Sequence, residues 1–384
     1  MVLATLFLLA VPLGVITVDD NGPADFADLP AAVVAALPGD TILIAPGLYH
    51  PTVVTKALSF VGADPGGPLP NVGFGPFSVV GAPSLSIQGL DFSELRISGV
   101  TGRVRLDALD YHTAFGPIQI TDCPDVEITR STIRGEGSPA FSGEPGLLVL
   151  NSDVTIVDST LIGGDGEDDV VFPDDGYAAV FGDGATHLTL VGCSAFGGNG
   201  GISFLSPSSG APAIAEVVTS GLTVTVRGSS SDLIQAGSGG GMGVTPKAID
   251  GQLTWSGATI LPSSAGAAVS PAEPYLSIGG GFTSGSLRRI EAYGATGESA
   301  FVFFSLSPAN FSLPGFQGDP LKLGLGGVFA TLPMTLLGQD TAATWLFAVP
   351  SGLAVVGLQI DVQALVQASS GPFITNAHQL ILLD

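Results

Sequence analysis

The stretch DVEITRSTIRG (residues 125–135) decides the fold, because close variants of it return at DVTIVDSTLIGG (153–164) and THLTLVGCSAFGG (186–198). In the first stretch, Val126 and Ile128 alternate with Glu127 and Thr129. An apolar side chain at every second position predicts a β-strand with one buried face. The return of this alternation indicates that one structural unit is repeated along the chain.

Two further segments, SLSIQGLDF and RVRLDALDY, extend the repeat towards the N-terminus, and the five units are spaced by 19, 22, 28 and 34 residues. Each unit contains a strand, a tight turn, a second strand and a longer loop. Such a unit can bury its apolar face only against copies of itself, which predicts an all-β parallel β-helix. The growing spacing predicts loops that lengthen on one side while the core keeps its cross-section. Two inward ladders are expected, formed by Leu85, Val104, Val126, Val154 and Leu188, and by Ile87, Leu106, Ile128, Ile156 and Leu190.

A short amphipathic helix is predicted ahead of the first coil. Phe26, Leu29, Val33 and Leu37 recur there at helical spacing. Asp28 is suited to cap the start of this helix, and the proline that follows two residues later fits only in a first turn. The helix would cover the open end of the stack, which would otherwise invite aggregation.

The segment DFADLPAAVVAALPGDTILIAPGLY, followed by LSFVGA, resembles the opening of secreted right-handed parallel β-helix proteins with the pectin-lyase-like fold. In that group a capping helix precedes a PGDT segment, a strand and a PG-x-Y segment. The resemblance covers about residues 16–65 and implies a right-handed coil. It implies no single activity, because the group includes lyases, hydrolases, epimerases and adhesins.

From Tyr275 onwards the sequence pattern changes to strand-like segments at intervals of roughly 10 to 20 residues, which predicts an antiparallel β-sandwich. The end of the chain resembles a β-sandwich module of secreted bacterial proteins, with Thr375, Asn376 and Ala377 where that module has Ser-Asn-Ala. The resemblance implies an extracellular accessory module. The predicted organisation is a signal peptide at 1–15, a β-helix at 16–265, a linker at 266–274 and a sandwich at 275–384.

The apolar run MVLATLFLLAVPLGVITV has the length of a signal-peptide core, although it lacks a basic n-region and a clear cleavage site. The alternative is a buried first strand. No other segment approaches about 18 unbroken apolar residues, so no membrane span is expected in the mature chain. These features predict a secreted or cell-surface protein.

The charge balance restricts the class of partner. The chain has 34 acidic and 11 basic residues, for a net charge of −23. Nucleic acid is not an expected partner, because phosphate binding needs clustered Lys and Arg. An anionic polysaccharide would be repelled unless a cation bridged it. The carboxylates either gather divalent cations or keep a glycine-rich β protein in solution.

The catalytic motifs of the resembling enzymes are missing. The chain contains no GHG or RIK, as in the polygalacturonate hydrolases, and no WxDH or RxPxxR, as in the pectate lyases. Outward carboxylates on neighbouring coils, about 4.8 Å apart, could still form a glycosidase pair. The candidates for it are Asp122, Asp153, Asp158 and Asp183. Arg130 is a candidate lyase base, the alternative being an ion pair with Asp158 one coil on.

Calcium is the one cofactor that the sequence suggests. The stretch GGDGEDDVVFPDDG places six carboxylates close together, and clustered hard oxygens suit that ion. The residues are Asp165, Glu167, Asp168, Asp169, Asp174 and Asp175. The alternative is a solvated loop, since the spacing fits no EF-hand.

The sequence favours a non-catalytic secreted or cell-surface protein that binds glycans or envelope components. Two alternatives stay open. One is a polysaccharide lyase or glycoside hydrolase that acts in a lateral groove, and the other is a structural component of an envelope or appendage. An aromatic and carboxylate-lined groove beneath the loops at 135–146 and 163–177 would favour the enzyme.

Overall fold

The computed structural model describes residues 14–63, 68–73, 75–112, 116–136, 144–168, 174–201, 208–217, 221–228, 231–239, 246–250, 252–256, 258–261, 268–269, 274–280, 287–294, 297–305, 308–311, 317–318, 321–323, 328–336, 343–348, 359–368 and 371–381. The first part of the chain contains β1 (Val15–Val18), α1 (Leu29–Ala35), β2 (Thr41–Ile44), β3 (Leu48–Tyr49), β4 (Val53–Val54), β5 (Leu58–Gly62), β6 (Asn71–Val72), β7 (Phe77–Val80), β8 (Leu85–Gln88), β9 (Asp91–Phe92), β10 (Leu95–Ser98), β11 (Val104–Asp107), β12 (Asp110–His112), β13 (Ile118–Thr121), β14 (Val126–Thr129), β15 (Thr132–Arg134), β16 (Leu147–Leu150), β17 (Asp153–Val157), β18 (Thr160–Ile162), β19 (Val180–Asp183), β20 (His187–Val191), β21 (Ser194–Phe196), β22 (Ile214–Glu216), β23 (Thr223–Arg227), β24 (Leu233–Gln235), β25 (Gln252–Ser256), β26 (Thr259–Leu261) and β27 (Ala268–Val269).

The second part contains antiparallel strands. They are β28 (Tyr275–Gly280), β29 (Leu287–Tyr293), β30 (Ser299–Ser305), β31 (Pro308–Phe311), β32 (Gln317–Gly318), β33 (Leu321–Leu323), β34 (Val328–Thr335), β35 (Ala343–Ala348), β36 (Gln359–Ala368) and β37 (Gly371–Ile381). β32 is an exception, because it pairs with β37 in parallel.

The first part is a right-handed parallel β-helix with three faces. Face 1 is one parallel sheet with the strand order β1-β2-β5-β8-β11-β14-β17-β20-β23-β25-β27. Face 2 consists of the sheet β3-β6-β9 followed by the sheet β12-β15-β18-β21-β24-β26, and face 3 is the sheet β22-β19-β16-β13-β10-β7-β4. The fold class predicted from the repeat is therefore confirmed.

The two predicted ladders are confirmed residue by residue. Val126 lies beside Val104 in the preceding coil and beside Val154 in the following one. The second ladder keeps the same register, so that Ile128 lies between Leu106 and Ile156. All ten predicted ladder residues belong to one buried apolar cluster. The period-two pattern excludes a slip by one residue, which would turn every apolar side chain outwards, and the superposition of the repeats fixes the register.

Two corners of the β-helix are made by left-handed backbone. Corner 1 joins face 1 to face 2, and corner 3 joins face 3 to face 1. Each is a column of residues with φ between 47° and 66°. The column at corner 1 is Gly89, Ala108, Arg130, Asp158 and Gly192, and the column at corner 3 is Gly81, Gly99, Asp122, Asn151 and Gly184. The same left-handed conformation therefore returns at these corners in successive coils, whatever side chain the corner residue carries.

Corner 2, between faces 2 and 3, carries all the long connections of these coils. The linking residues are 93–94, then 113–117, 135–146, 163–179 and 197–213 in successive coils. The prediction that loops lengthen on one side is therefore confirmed. In these coils corners 1 and 3 stay short, and the longer connections 63–70 at corner 1 and 217–222 at corner 3 lie outside them.

The long corner-2 loops form an ordered arrangement, which we call the glycine array. It consists of residues 163–168, 174–177, 197–201, 208–211 and 236–239. The central segment bonds to all four others: Gly166 N donates to Asn199 O, Gly198 N to Tyr177 O, Ala211 N to Gly198 O and Gly200 N to Ser238 O. A β-strand has only two neighbours in its sheet, so this packing differs from a sheet. It requires glycine, because a Cβ at position 198 would overlap the carbonyl oxygen of Gly164.

The predicted capping helix is α1, and its ends are held by side chains. Asp28 is the N-cap and accepts from Leu29 N at 2.9 Å, with Pro30 in the first turn. Lys56 Nζ donates to three carbonyl oxygens near the C-terminus, those of Val33, Val34 and Ala36. The prediction was wrong for Leu37, which is 68% exposed, because the helix ends at Ala35 and the chain turns towards Asp40.

The C-terminal antiparallel sheets share one apolar core. One sheet has the order β28-β29-β35 and the other the order β32-β37-β36-β30-β34. The core combines residues such as Leu276 and Ile290 from the first sheet with Val302 and Val362 from the second. This arrangement is the antiparallel sandwich that the strand spacing predicted. Among the described residues, no helix has the length and apolarity needed to cross a bilayer.

The C-terminal sheets lie on face 1. Val61, an outward residue of β5, joins their apolar core. Outward side chains of β11 and β14 are buried as well, including Arg105 and Glu127. The alternation predicted one buried face for these strands, yet both faces are buried. The expectation failed here because polar outward positions are covered by charges from another part of the chain.

Candidate functional site

The structure separates the predicted catalytic carboxylates. Asp122, Asp153 and Asp183 lie near corner 3, whereas Asp158 lies at corner 1, at the other end of the face 1 strands. At corner 3 the coil between Asp122 and Asp183 contributes Asn151, whose Nδ2 lies 3.3 Å from Asp122 Oδ1.

Two of these carboxylates have polar partners on the adjacent coil or within their own turn. Asp153 Oδ1 lies 2.8 Å from His187 Nδ1, and both side chains are exposed. Asp183 accepts from Gly184 N at 2.7 Å. These contacts are of the kind that hold a turn or connect coils.

Arg130 makes an ion pair between coils. Its Nε donates to Asp107 Oδ1 at 3.0 Å, and its Nη2 contacts the other oxygen of the same carboxylate. Asp107 is on the preceding coil, whereas the sequence pointed to Asp158 on the following one. Arg130 and Asp158 do share a corner column, as the repeat predicted.

The acidic loop belongs to the glycine array. Asp165 Oδ1 accepts from Asn199 N at 2.6 Å, and Asp175 Oδ1 accepts from Ser209 N at 2.5 Å. Asn199 Oδ1 in turn accepts from Ser238 N at 2.9 Å, so that this chain of hydrogen bonds reaches the following coil. Both carboxylates therefore pair backbone N–H groups of the next coil.

No group of three or more His, Cys, Asp or Glu side chains is arranged to hold a metal ion within the described ranges. Asp169 lies outside these ranges. The remaining members of the predicted calcium set, Glu167, Asp168 and Asp174, lie in the same loop segments of the glycine array.

A second set of polar residues meets at corner 2, just before the loops lengthen. We call Glu94, Arg96, Tyr111, Gly116 and Glu144 the corner-2 cluster. A Cβ built on Gly116 would lie 3.7 Å from Glu144 Oε2 and 3.9 Å from Glu94 Oε1. The two carboxylate oxygens are therefore at most about 8 Å apart, which does not exceed the separation of about 5 to 10 Å between paired glycosidase carboxylates.

Hydrogen bonds fix most of this cluster. Tyr111 is buried, and its hydroxyl donates to Gly116 O at 2.5 Å. Burial raises the pKa of Tyr111, and the nearby charges of Glu94 and Glu144 add to that effect. Arg96 Nε donates to Glu94 Oε1 at 2.5 Å. Glu94 is thus a buried carboxylate fixed by an ion pair.

Glu144 differs from Glu94. Its Oε2 atom is buried and has no hydrogen-bond donor in the part of the chain that the structure describes. A buried carboxylate oxygen without a donor is costly, since it loses hydration without compensation. This oxygen lies 3.7 Å from the position that a Cβ on Gly116 would take.

Further acids flank the cluster along face 2. Asp91 accepts from Asn71 Nδ2 at 2.6 Å, and burial raises the pKa of Asp91. His112 lies between two exposed carboxylates, 3.4 Å from Asp110 and 3.8 Å from Glu136. The flank therefore offers several acceptors close to the cluster.

Sequence reasoning missed the corner-2 cluster. Glu94 and Glu144 lie in connections of two and twelve residues, so no fixed spacing relates them. One signal could have found them, because both come shortly before a strand of face 3. Aligning the repeats on those strands, rather than on face 1, would have placed them at one corner.

The class of protein that the fold defines is a right-handed parallel β-helix protein with an antiparallel C-terminal unit. No family model matches the chain, and no curated protein matches it in sequence. Among solved structures, it is similar to the enzymatically active domain of tailspike protein 2 from bacteriophage CBA120. The TM-score is 0.27 and the identity 11%, over 92% of this chain and 68% of that one. A likeness this distant carries no argument about function.

Proposed function

We propose that the protein is a secreted or cell-surface β-helix protein that binds a neutral polysaccharide along the corner-2 cluster and the adjoining part of face 2. The observation that carries this proposal is Glu144 Oε2, which lies beside Gly116 and has no donor among the described residues. A sugar hydroxyl can supply the missing hydrogen bond. Stacked coils give an extended surface that suits a long polymer.

The negative charge of the site favours a neutral polysaccharide over an anionic one. Asp91, Asp110, Glu136 and the two cluster glutamates are acceptors, and the whole chain carries −23. An anionic polysaccharide would be repelled by these groups. Neutral sugars are rich in hydroxyl donors and suffer no such repulsion.

The test is affinity electrophoresis of the full chain in gels that contain neutral polysaccharides, namely a β-glucan, a mannan and a galactan. We expect retardation by at least one of them. Glu144→Gln should weaken binding about tenfold, the cost of one charge-assisted hydrogen bond. Asp25→Asn, at an exposed carboxylate in the first coil, is the matched control. A wild-type protein that no neutral polymer retards would overturn the proposal and favour a structural role in an envelope.

A second candidate function is glycoside hydrolysis, favoured by the separation of Glu94 and Glu144. In that mechanism Glu144 would protonate the leaving oxygen, while the salt-bridged Glu94 would act as the second carboxylate. The assay is release of reducing ends from the same polymers. Cleavage that disappears in both Glu94→Gln and Glu144→Gln would establish the hydrolase and rule out a purely binding role.

A further inference from the structure

A pair of stacked tyrosines lies where the C-terminal sheets meet corner 1. Tyr275 and Tyr293 are cross-strand partners on β28 and β29. Their ring centroids are 4.5 Å apart, with an interplanar angle of 7°. The stack packs on Val157 and Val191, two outward residues of face 1. Tyr275 is buried and Tyr293 is partly exposed, so Tyr293 is the outer ring of the stack.

Two carboxylates lie beside this stack at corner 1, on coils that are separated by the coil of Gly192. Asp158 Oδ1 is 2.8 Å from the position that a Cβ on Gly192 would take, and Tyr275 Cε2 is 3.7 Å from the same point. Asp232 Oδ2 is 2.6 Å from the equivalent position on Gly228. Gly192 and Gly228 follow neighbouring strands of face 1. The absence of side chains at both glycines leaves room for the carboxylates at this corner.

The neighbouring acids affect the pKa of Tyr293, the outer ring of the stack. Burial raises the pKa of Tyr293, and the charges of Glu291, Asp158 and Asp232 raise it further, while Arg289 opposes them. An aromatic ring with acceptors around it is the combination that recognises a sugar, because a pyranose offers one apolar C–H face and a rim of hydroxyl donors. Junctions between structural units are also frequent positions for ligand sites.

We propose that Tyr293, supported by Tyr275 and flanked by Asp158 and Asp232, binds one pyranose ring of a neutral glycan. The proposal shares its ligand class with the function proposed above but concerns a different corner of the β-helix. The sugar would stack on the outer face of Tyr293 and donate hydroxyl hydrogen bonds to the two carboxylates. Removal of the ring should then reduce the affinity for the glycan more than removal of the phenolic oxygen.

The experiment is calorimetric titration of the full chain with neutral hexasaccharides of glucose, mannose and galactose. Tyr293→Ala should weaken the best ligand about tenfold, whereas Tyr293→Phe should keep most of the affinity. Tyr177→Ala, at a partly buried tyrosine in the glycine array, is the control and should bind as the wild type does.

A second variant guards against a folding defect in Tyr293→Ala. Asp158 has φ 48°, which asparagine tolerates, so Asp158→Asn should fold normally and still lose affinity. If the wild type binds and Glu144→Gln weakens binding while Tyr293→Ala and Asp158→Asn do not, the tyrosine site is refuted and the corner-2 site stands. If the wild type binds none of the three sugars, both sites are refuted.

Discussion

Asp361 Oδ1 lies 3.3 Å from Nη2 of Arg105, a residue 256 positions earlier in the chain. The same oxygen lies 3.3 Å from Arg103 Nη1. Arg105 also donates to Glu127 at 2.5 Å, and burial lowers the pKa of this arginine. A charged cluster thus lies between face 1 and the C-terminal sheets, shielded from water. Such a cluster holds the two parts in one relative position, because each charge needs its partner to remain buried.

Removing one member of this cluster should destabilise the protein strongly. Asp361→Ala leaves two guanidinium groups with one acceptor fewer, and breaking a buried ion pair costs about 3–5 kcal/mol. The measurement is the urea midpoint followed by tryptophan fluorescence, since Trp345 packs in the C-terminal core. The control is Arg289→Gln, at an ion pair with a 56% exposed arginine, which should cost less than about 1 kcal/mol. Equal effects of the two variants would contradict this account.

The left-handed corners predict that one substitution by glycine stabilises the protein. Ala108 has φ 51°, a conformation that costs an ordinary L-residue about 1–2 kcal/mol. Ala108→Gly should therefore raise the free energy of unfolding by about 0.5–1 kcal/mol, after the entropy of glycine in the unfolded chain is subtracted. Ala185→Gly, at an exposed alanine outside the left-handed region, should lower it by a similar amount. Thermal unfolding of both variants measures the difference, and a loss in Ala108→Gly would be the contrary result.

The glycine array should be intolerant of a single methyl group. In Gly198→Ala the new Cβ would overlap the carbonyl oxygen of Gly164, which is backbone and cannot move aside alone. We expect faster amide hydrogen exchange in residues 163–168 and 208–211, with the face 1 strands still protected. Gly73→Ala is the control, because its Cβ would meet only side-chain atoms. Unchanged exchange in the array would show that its segments are not packed as described.

Calcium dependence can be tested at the same array. Asp165 and Asp175 already accept backbone N–H groups of the next coil, so we expect the melting temperature to change by less than about 2 °C between EDTA and millimolar calcium. Asp165→Ala should lower it in both conditions, because Asn199 N then loses its acceptor. A large rise with calcium that Asp165→Asn abolishes would instead support the metal site that the acidic stretch suggested.

The ladder residues could be predicted from sequence, because alternation and repetition act on the same positions. The places of Val126 and Val154 in the ladder follow from the period-two alternation and from one superposition of two repeats. The left-handed conformation of the corners could not be predicted, since Ala108, Arg130 and Asp158 share it but have no chemical property in common. Only the glycines in those columns carried a signal.

The surroundings of the β-helix were less predictable still. The alternation in β11 predicts that Arg105 faces solvent. In the structure Asp361, on a strand far along the chain, pairs with it. The candidate site depends on Glu94 and Glu144, which occupy loops of unequal length. A repeat can be recognised only where the spacing is constant, and the candidate site lies where the spacing varies.

Between β8 and β22 the long connections lie at corner 2, which has a consequence for divergence among related chains. Doubling the length of a loop costs only about 0.6 kcal/mol of closure entropy, whereas a residue inserted next to a left-handed corner residue would disturb a turn that successive coils share. Within these coils, insertions and deletions are therefore tolerated best at corner 2. Relatives with superimposable coils can differ completely there, and that corner carries the Glu94–Glu144 cluster.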